Sequence, residues 1–485
     1  MRAKIVAIVL SLASGLGANA QFTFTTNNGA LTITGYTVYF STVIIPAITN
    51  GYPVTGIGDS AFNGQTEIRS IILSTNITTI GNQAFNNTDL TNIYFPASIT
   101  NLGNLAFVNC AFLTNITVDP GNPVYSSTNG VLFDKAQTTL VEFPFGLGYN
   151  HGLGAGFGAS YTVPASVTAI GQNAFFGCSL TNVTMLNSVV SIGGAAFEAC
   201  YSLTNVIMST GLTSIGTNAF YNCYGLTNVS IPNSVTNIGA NAFYNCTKLT
   251  SMTLPNSITK IGSSAFTGCT SLTNVVLPAN LASMANYMFQ DCYKLTSLTI
   301  PNSVTNIGTE ALYGCSSLAN VIISTSVKNI GDGAFYHCTA LAAITLPGSV
   351  SSLGNFVFNG CTSLTNLTCL GNAPSLGVNT LQSVPGIVFY YYGTSGWGST
   401  YGGLPTVELG APSSPPEIGG GGNIKIQAGN FSFLVTGNSN QTVVVEASTN
   451  FMNWQTVWTN TLTSTNTIFN DPQWTNYPYR YYRAR

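Results

Sequence analysis

Two histidines, fourteen carboxylates and eleven cysteines are all that this 485-residue chain offers for acid–base, nucleophilic or metal chemistry. Acid–base catalysis needs two such groups within reach of one substrate atom, and a metal needs three or four ligands converging on one point. His151 and His337 stand in different segments, and most carboxylates stand singly. Asp119, Asp134 and Glu142 are the one close group, and turn formation is their expected role. No acid recurs in register to bind calcium, and no phosphate loop, zinc spacing or nucleophile elbow is present. No residue is expected to serve catalysis, a cofactor or a metal, and no enzyme is expected.

The cysteines carry a different signal. Cys200, Cys223, Cys246, Cys269, Cys292, Cys315, Cys338 and Cys361 follow one another at 23-residue intervals. Around them runs a repeat, seen in one copy as Leu226-x-x-Val229-x-Ile231-Pro232, Val235-x-x-Ile238-Gly239, Ala242-Phe243 and Cys246. A fixed period of this length implies stacked units that bury a continuous core only together. Equivalent cysteines then lie one coil apart with parallel Cβ vectors, so free, buried thiols are expected; bridged neighbours stay open as the alternative. Cys369 falls at a strand position instead of in the ladder.

Val229 and Ile231, two apart, define the inward face of a short strand, with Asn228 and Ser230 outward. Val235 and Ile238 read as a second extended piece. Ala242, Phe243, Cys246 and Leu249 show three-four spacing, which predicts one or two helical turns, and Gly239 a backbone bend at the corner.

The outward strand positions are the candidate binding surface: Asn182, Thr184, Asn205, Asn228, Ser230, Ser251, Thr253, Asn274, Ser297 and Thr299. β-branched residues and stacked asparagine amides also suit an exposed sheet structurally. A small, uncharged surface fits a protein or a polysaccharide, yet it lacks the Trp, Tyr and Arg anchors typical of hot spots. An array of threonines could also match ice or a crystalline polymer.

The motif Leu-x-x-Val-x-Ile-Pro-x-x-Val-x-x-Ile-Gly-x-x-Ala-Phe-x-x-Cys resembles the 23-residue leucine-rich repeats of BspA-like bacterial surface proteins. Val118-Asp-Pro-Gly-Asn-Pro through Phe143-Pro144 resembles their irregular unit, and Gly371-Asn-Ala-Pro with Val388-Phe-Tyr-Tyr-Tyr-Gly their terminal one. The resemblance implies an α/β leucine-rich-repeat solenoid, β-rich with short helical turns, and a role in cell-surface adhesion or protein binding. A polysaccharide-binding component and a passive spacer are the rival roles.

Composition frames the rest. Only 5% of residues are charged and 45% are hydrophobic, with a net charge of −2. Nucleic acid is therefore no expected partner. No apolar run is long enough to span a membrane as a helix. Residues 1–20, with Arg2 and Lys4 before an apolar stretch and Ala18-Asn19-Ala20, read as a secretory signal. The expected organisation is a solenoid over 21–410, with an irregular unit at about 118–165 and a cap at about 370–410. A Pro/Ser/Gly linker at 411–422 and a small all-β sandwich-like module at 423–485 follow. The aromatic run Phe389–Tyr392 with Trp397 and Tyr401 is read as part of that cap, and Trp454 as module core. Arg480, Arg483 and Arg485 are read as a possible export or retention signal. The protein is expected to be secreted or at the cell surface, and monomeric.

Overall fold

A computed structural model describes residues 4–5, 22–148, 159–409, 417–418, 425–427, 430–436, 440–449, 454–464, 466–471, 473 and 481–484. His151 and all of the 1–20 segment except Lys4–Ile5 lie outside them. The chain divides into two compact units. The first holds residues 1–367 with 374–386 and 402–404; the second holds 368–373, 387–401 and 405–485.

In the first unit each 23-residue coil has three sides. One is a short strand such as Asn228–Ser230, paired in parallel with Asn205–Ile207 before it and Ser251–Thr253 after it. The second is the two-residue strand Asn237–Ile238, paired with Ser214–Ile215 and Lys260–Ile261. The repeat places the same residue at the same point of every coil, so Val206, Val229 and Met252 all fall inside.

The third side corrects the expectation of helical turns. Asn218, Asn222, Asn241 and Asn245 have φ between 53° and 59°, in the left-handed region that asparagine tolerates. A helix would need every N–H to bond within its own segment. Here alternate N–H groups reach the next coil: Asn218 to Ala240 O at 2.9 Å, Phe220 to Ala242 O and Asn222 to Tyr244 O, both at 2.8 Å. Tyr221 and Cys223 instead close tight turns onto Asn218 O and Phe220 O. The three-four spacing of Ala, Phe and Cys is thus the period of successive turns. The one helical segment among the described residues is the 3-10 turn Phe145–Gly148.

Three further columns bind coil to coil. Phenylalanines stack, with ring centroids of Phe197, Phe220, Phe243 and Phe266 5.1 to 5.6 Å apart and nearly parallel. Each ladder cysteine is free and buried. Its thiol donates to the carbonyl of the column residue one coil back, a phenylalanine in most coils and Leu312 for Cys338: Cys246 to Phe220 O at 3.3 Å and Cys269 to Phe243 O at 3.2 Å. That carbonyl also accepts the N–H of the cysteine in its own coil, which explains why a small hydrophobe with a donor suits the site. The Ile-Gly glycine serves close approach, with no left-handed backbone: a Cβ on Gly239 would lie 2.5 Å from Thr217 N.

Outward polar groups join the stack too. The Thr227 hydroxyl donates to Thr204 O, that of Ser257 to Val235 O, and the Asn245 amide to Asn222 Oδ1. After the Ile-Gly pair, Asp59 Oδ1 accepts the N–H of Asn82, and Asn286 Oδ1 accepts that of Thr309 in the same way. An amide does there what a carboxylate does, so the position needs no charge.

The first coil is covered by a hairpin, Phe22–Asn27 with Ala30–Tyr36, that packs Phe22 and Tyr36 on Phe62. Between residues 125 and 142 the coil gives way to an antiparallel meander, held by buried Asn122 donating to Pro96 O and Ile99 O. Thr139–Leu140 then pairs in parallel with Ala169–Ile170 and the coils resume.

In the second unit, Val388–Tyr391 pairs in parallel with Thr406–Leu409. Tyr390 stacks on Trp397 at 5.0 Å, whose indole N–H donates to the Thr394 hydroxyl. Two small antiparallel sheets follow, one built on Asn430–Thr436 and the other on Thr442–Ser448, around Phe433, Val435, Val443, Val445, Leu462 and Phe469. Glu417–Ile418, inside the stretch read as a linker, pairs with Thr436 and Val435. The tail strand Tyr481–Ala484 pairs with Val445–Ser448. Arg483 bonds buried Glu446 at 2.6 Å and lies over the Trp454 ring. It is therefore a structural part of the module, whatever else the tail does.

Candidate functional site

The carboxylates singled out in the irregular unit do not meet. Asp119 accepts from the Tyr94 hydroxyl at 2.6 Å and from Gly121 N, contacts that hold its pKa below the usual carboxylate range. Asp134 caps a turn by accepting from the N–H groups of Thr138 and Thr139. Glu142 follows the register of a core alanine: Phe143 N bonds Ala174 O as Phe175 N bonds Ala196 O, which aligns Glu142 with Ala174.

The Glu142 carboxyl is enclosed by protein, and burial pushes it up to about 8, although the residue as a whole keeps some solvent access. Its folded pKa lies above the ordinary value near 4.3, so the folded chain keeps a proton that the unfolded chain releases. The associated stability is complete below about pH 4.3 and is lost as pH rises through 8. Glu142→Gln is expected to leave the melting temperature unchanged at about pH 4. By about pH 9 it should raise stability by about 1–3 kcal/mol, less than full burial would give because of the residual solvent access. Thermal melts of both proteins across that range check it.

The coil register does assemble one pair of acids that spacing concealed. Burial raises the pKa of Asp291, and burial together with Asp291 raises that of Glu310. Both are half-buried on the turn side, where Tyr313 and Tyr336 stack at 5.1 Å and His337 meets Tyr336 edge-on. His337 is exposed, at a left-handed position where most other coils carry Asn or Gly, with Ala199 and Asp291 among the exceptions. The stacked rings cover each other's faces. Among the described residues no three His, Cys, Asp or Glu side chains could hold a metal. The thiols are poor nucleophiles as well, since burial pushes Cys200 and Cys269 up to about 12.

The strand side differs from every other side. Asn205, Asn228, Ser230, Ser251, Thr253, Asn274 and Thr299 are exposed; Asn182, Thr184 and Ser297 are half-exposed. Asn182 donates to Ser160 and Thr181, but the other nine side chains make no hydrogen bond among the described residues. Amide ladders do occur, on the turn side between Asn218 and Asn241 and between Asn222 and Asn245, and on the two-residue strands between Asn306 and Asn329; the candidate asparagines of the strand side do not form one. A shallow groove of about 410 Å³ crosses this side, lined by Asn228, Ser230, Ser251 and Thr253 with Asn233 and Pro255.

The equivalent column of the first coils holds residues that composition reasoning missed. Ile44 pairs with Ile72, and Tyr94 follows one coil on. Their exposures of 65%, 52% and 48% make them the large anchors that the Ser/Thr coils lack. Alternation in Asn92-Ile93-Tyr94-Phe95 could have marked Tyr94 as outward.

The sequence matches the family described as BspA type leucine rich repeat region (6 copies) over residues 32–147, 159–272, 236–365 and 282–389. The chain belongs to this family. Among solved structures, this BspA-type chain is similar to a leucine-rich repeat protein from Bacteroides ovatus, at 25% identity and TM-score 0.48, over 78% of this chain and 95% of that one. It is also similar to a leucine rich cell surface protein from Faecalibacterium prausnitzii, at 24% identity and TM-score 0.40, over 80% and 96% of the two chains. A Treponema pallidum leucine rich repeat protein shares 29% identity over 39% of this chain and 86% of its own, with TM-score 0.34. No curated protein matches. Among the described residues no helix of this BspA-type chain is long and apolar enough to cross a membrane.

Proposed function

We propose that this BspA-type protein is an exported, non-enzymatic scaffold, carried out by the signal in residues 1–20, that binds another protein at the cell surface through the strand side of its coils. The observation that carries this reading is the contrast between sides. Hydroxyls and amides elsewhere on the coils, such as those of Thr227, Ser257 and Asn245, bond neighbouring coils, whereas those of Asn205, Asn228, Ser230, Ser251, Thr253 and Asn274 face solvent with hydrogen-bonding capacity free. Ile44, Ile72 and Tyr94 supply apolar and aromatic anchors at the equivalent positions. With few charges on the chain, affinity rests on hydrogen bonds and shape, so salt screens little of it.

The test is capture of partners from cell-surface extracts by the immobilised full chain, run beside a glycan array. Saturable capture of a protein that survives a rise in salt from about 0.1 M to 1 M supports the reading. Binding confined to glycans turns the assignment to polysaccharide, and silence in both assays leaves a passive spacer.

A further inference from the structure

The two sheets of the solenoid end differently where the coils begin. One is closed off: Ala30–Tyr36 pairs in parallel with the following coil, Leu31 beside Val54 and Ile33 beside Ile57, and the hairpin strand Phe22–Asn27 runs along its outer edge. The strand side instead stops at Thr42–Ile44. That strand pairs with Ser70–Ile72 on one edge and, among the described residues, with no strand on the other.

The surrounding bonds fix which way its main chain faces. Ser41 O accepts the N–H groups of Arg69 and Ser70 at 2.8 and 2.9 Å, and Ile45 N donates to Ile72 O at 2.9 Å. Successive residues of a strand turn their N–H and C=O groups to opposite edges, so Ser41 and Ile45 serve the neighbouring coil and Thr42 and Ile44 face the open edge. At three residues the strand is as long as Asn205–Ile207 or Asn228–Ser230, which pair with coils on both edges.

Sheets guard an open edge with charge, above all lysine. Here no charged residue occurs between Lys4 and Asp59, and on the neighbouring strand Arg69 is paired with Asp89. Pro46 lies past the strand and leaves the N–H groups of Thr42 and Ile44 in place. The exposed column Ile44, Ile72 and Tyr94 also starts at this edge, and one more strand would set an outward side chain about 5 Å from Ile44.

We propose that Thr42–Ile44 is a strand-accepting edge. An extended segment of a partner protein adds to it, its main chain bonding Thr42 and Ile44 and an apolar side chain continuing the Ile44–Ile72–Tyr94 column. The hairpin strand Phe22–Asn27 stands beyond Ala30–Tyr36 on the adjoining side, so the step beside Thr42–Ile44 suits a single strand better than the end of a second solenoid. That the segment belongs to the surface partner rests on the strand-side reading; the capacity of the edge does not.

The probe is a synthetic peptide of residues 67–74 of this chain, whose strand Ser70–Ile72 already pairs with the opposite edge of Thr42–Ile44. In the free full-length protein the amides of Thr42 and Ile44 should exchange at least about tenfold faster than that of Val43, and saturating peptide should slow both by at least about tenfold. Ile44→Pro removes a donor that the solenoid itself leaves unused, and Ile44→Lys adds the charge that guards edges. Each should weaken peptide binding, read by fluorescence anisotropy, by at least about tenfold, while Ile207→Lys, in a strand paired on both edges, leaves it unchanged. Amides of Thr42 and Ile44 that the peptide does not slow, or binding that neither Ile44 variant weakens, would overturn the proposal. Protection of both amides that rises with protein concentration alone would overturn it too, because a second copy would then hold the edge. The peptide needs no partner from surface extracts, so its failure is separate from failure of the strand-side reading.

Discussion

Phe243→Ala is expected to cost the solenoid about 3–5 kcal/mol, the range for truncating a fully buried aromatic ring. Phe243 has no exposed surface, and its ring sits between Phe220 at 5.2 Å and Phe266 at 5.6 Å. Stacking adds to its burial, and close packing leaves the neighbours little room to collapse into the void. The cavity would open beside the Phe243 carbonyl, which accepts both the Cys246 N–H and the Cys269 thiol. Tyr244, the next residue, is half-exposed on the turn side, and Tyr244→Ala should cost about 1 kcal/mol or less. Chemical denaturation of the two variants checks the contrast, and equal losses would mean that the phenylalanine column is not the core.

Gly239→Ala should cost about 3 kcal/mol, at the upper end of ordinary overpacking, although it adds one methyl group. The clash is with backbone: the new Cβ would meet Thr217 N at 2.5 Å and Gly216 C at 2.6 Å, and neither can rotate away. Gly29, by contrast, has a φ of 79° and open space around its Cβ position, so its replacement by Ala strains the conformation alone, at about 1 kcal/mol. A larger loss at Gly29 than at Gly239 in melting experiments would contradict the close-approach account of the Ile-Gly motif.

The 23-residue period made the inward set legible from sequence, because a residue buried in one coil is buried in the next: Val206, Val229 and Met252, or Phe220 and Phe243. The turn side was misread because apolar spacing reports which residues point inward and says little about where the N–H groups bond. The asparagines at 218 and 222 were the local signal, since a residue that tolerates φ > 0 at four-residue intervals argues for turns. The N-terminal hairpin was also visible in principle, as Asn28-Gly29 between alternating Phe22-x-Phe24 and Leu31-x-Ile33. Asp291 and Glu310 could not be paired by column, because their separation is not a multiple of the period. The cysteine's carbonyl partner was not legible in the sequence, since the bond crosses from one coil to the next.

The low charge of the chain follows from the same architecture. Side chains such as Thr227, Ser257 and Asn245 bond neighbouring coils, and a hydroxyl or amide does this without the desolvation cost of an ion. The strand side, where Ser230 and Thr253 stay free, is the exception that the proposed function depends on.

The most direct measurement compares partner capture by two double variants of equal charge. Ser230→Arg/Thr253→Arg places two cations on the strand side, and Thr217→Arg/Ser263→Arg places two at exposed positions after the Ile-Gly pair. The account predicts that the first pair weakens capture by about 100-fold, as unpaired charges forced into an interface cost about 3 kcal/mol, while the second stays within about threefold of the parent chain. Equal losses in the two variants, or a loss confined to the second, would contradict it.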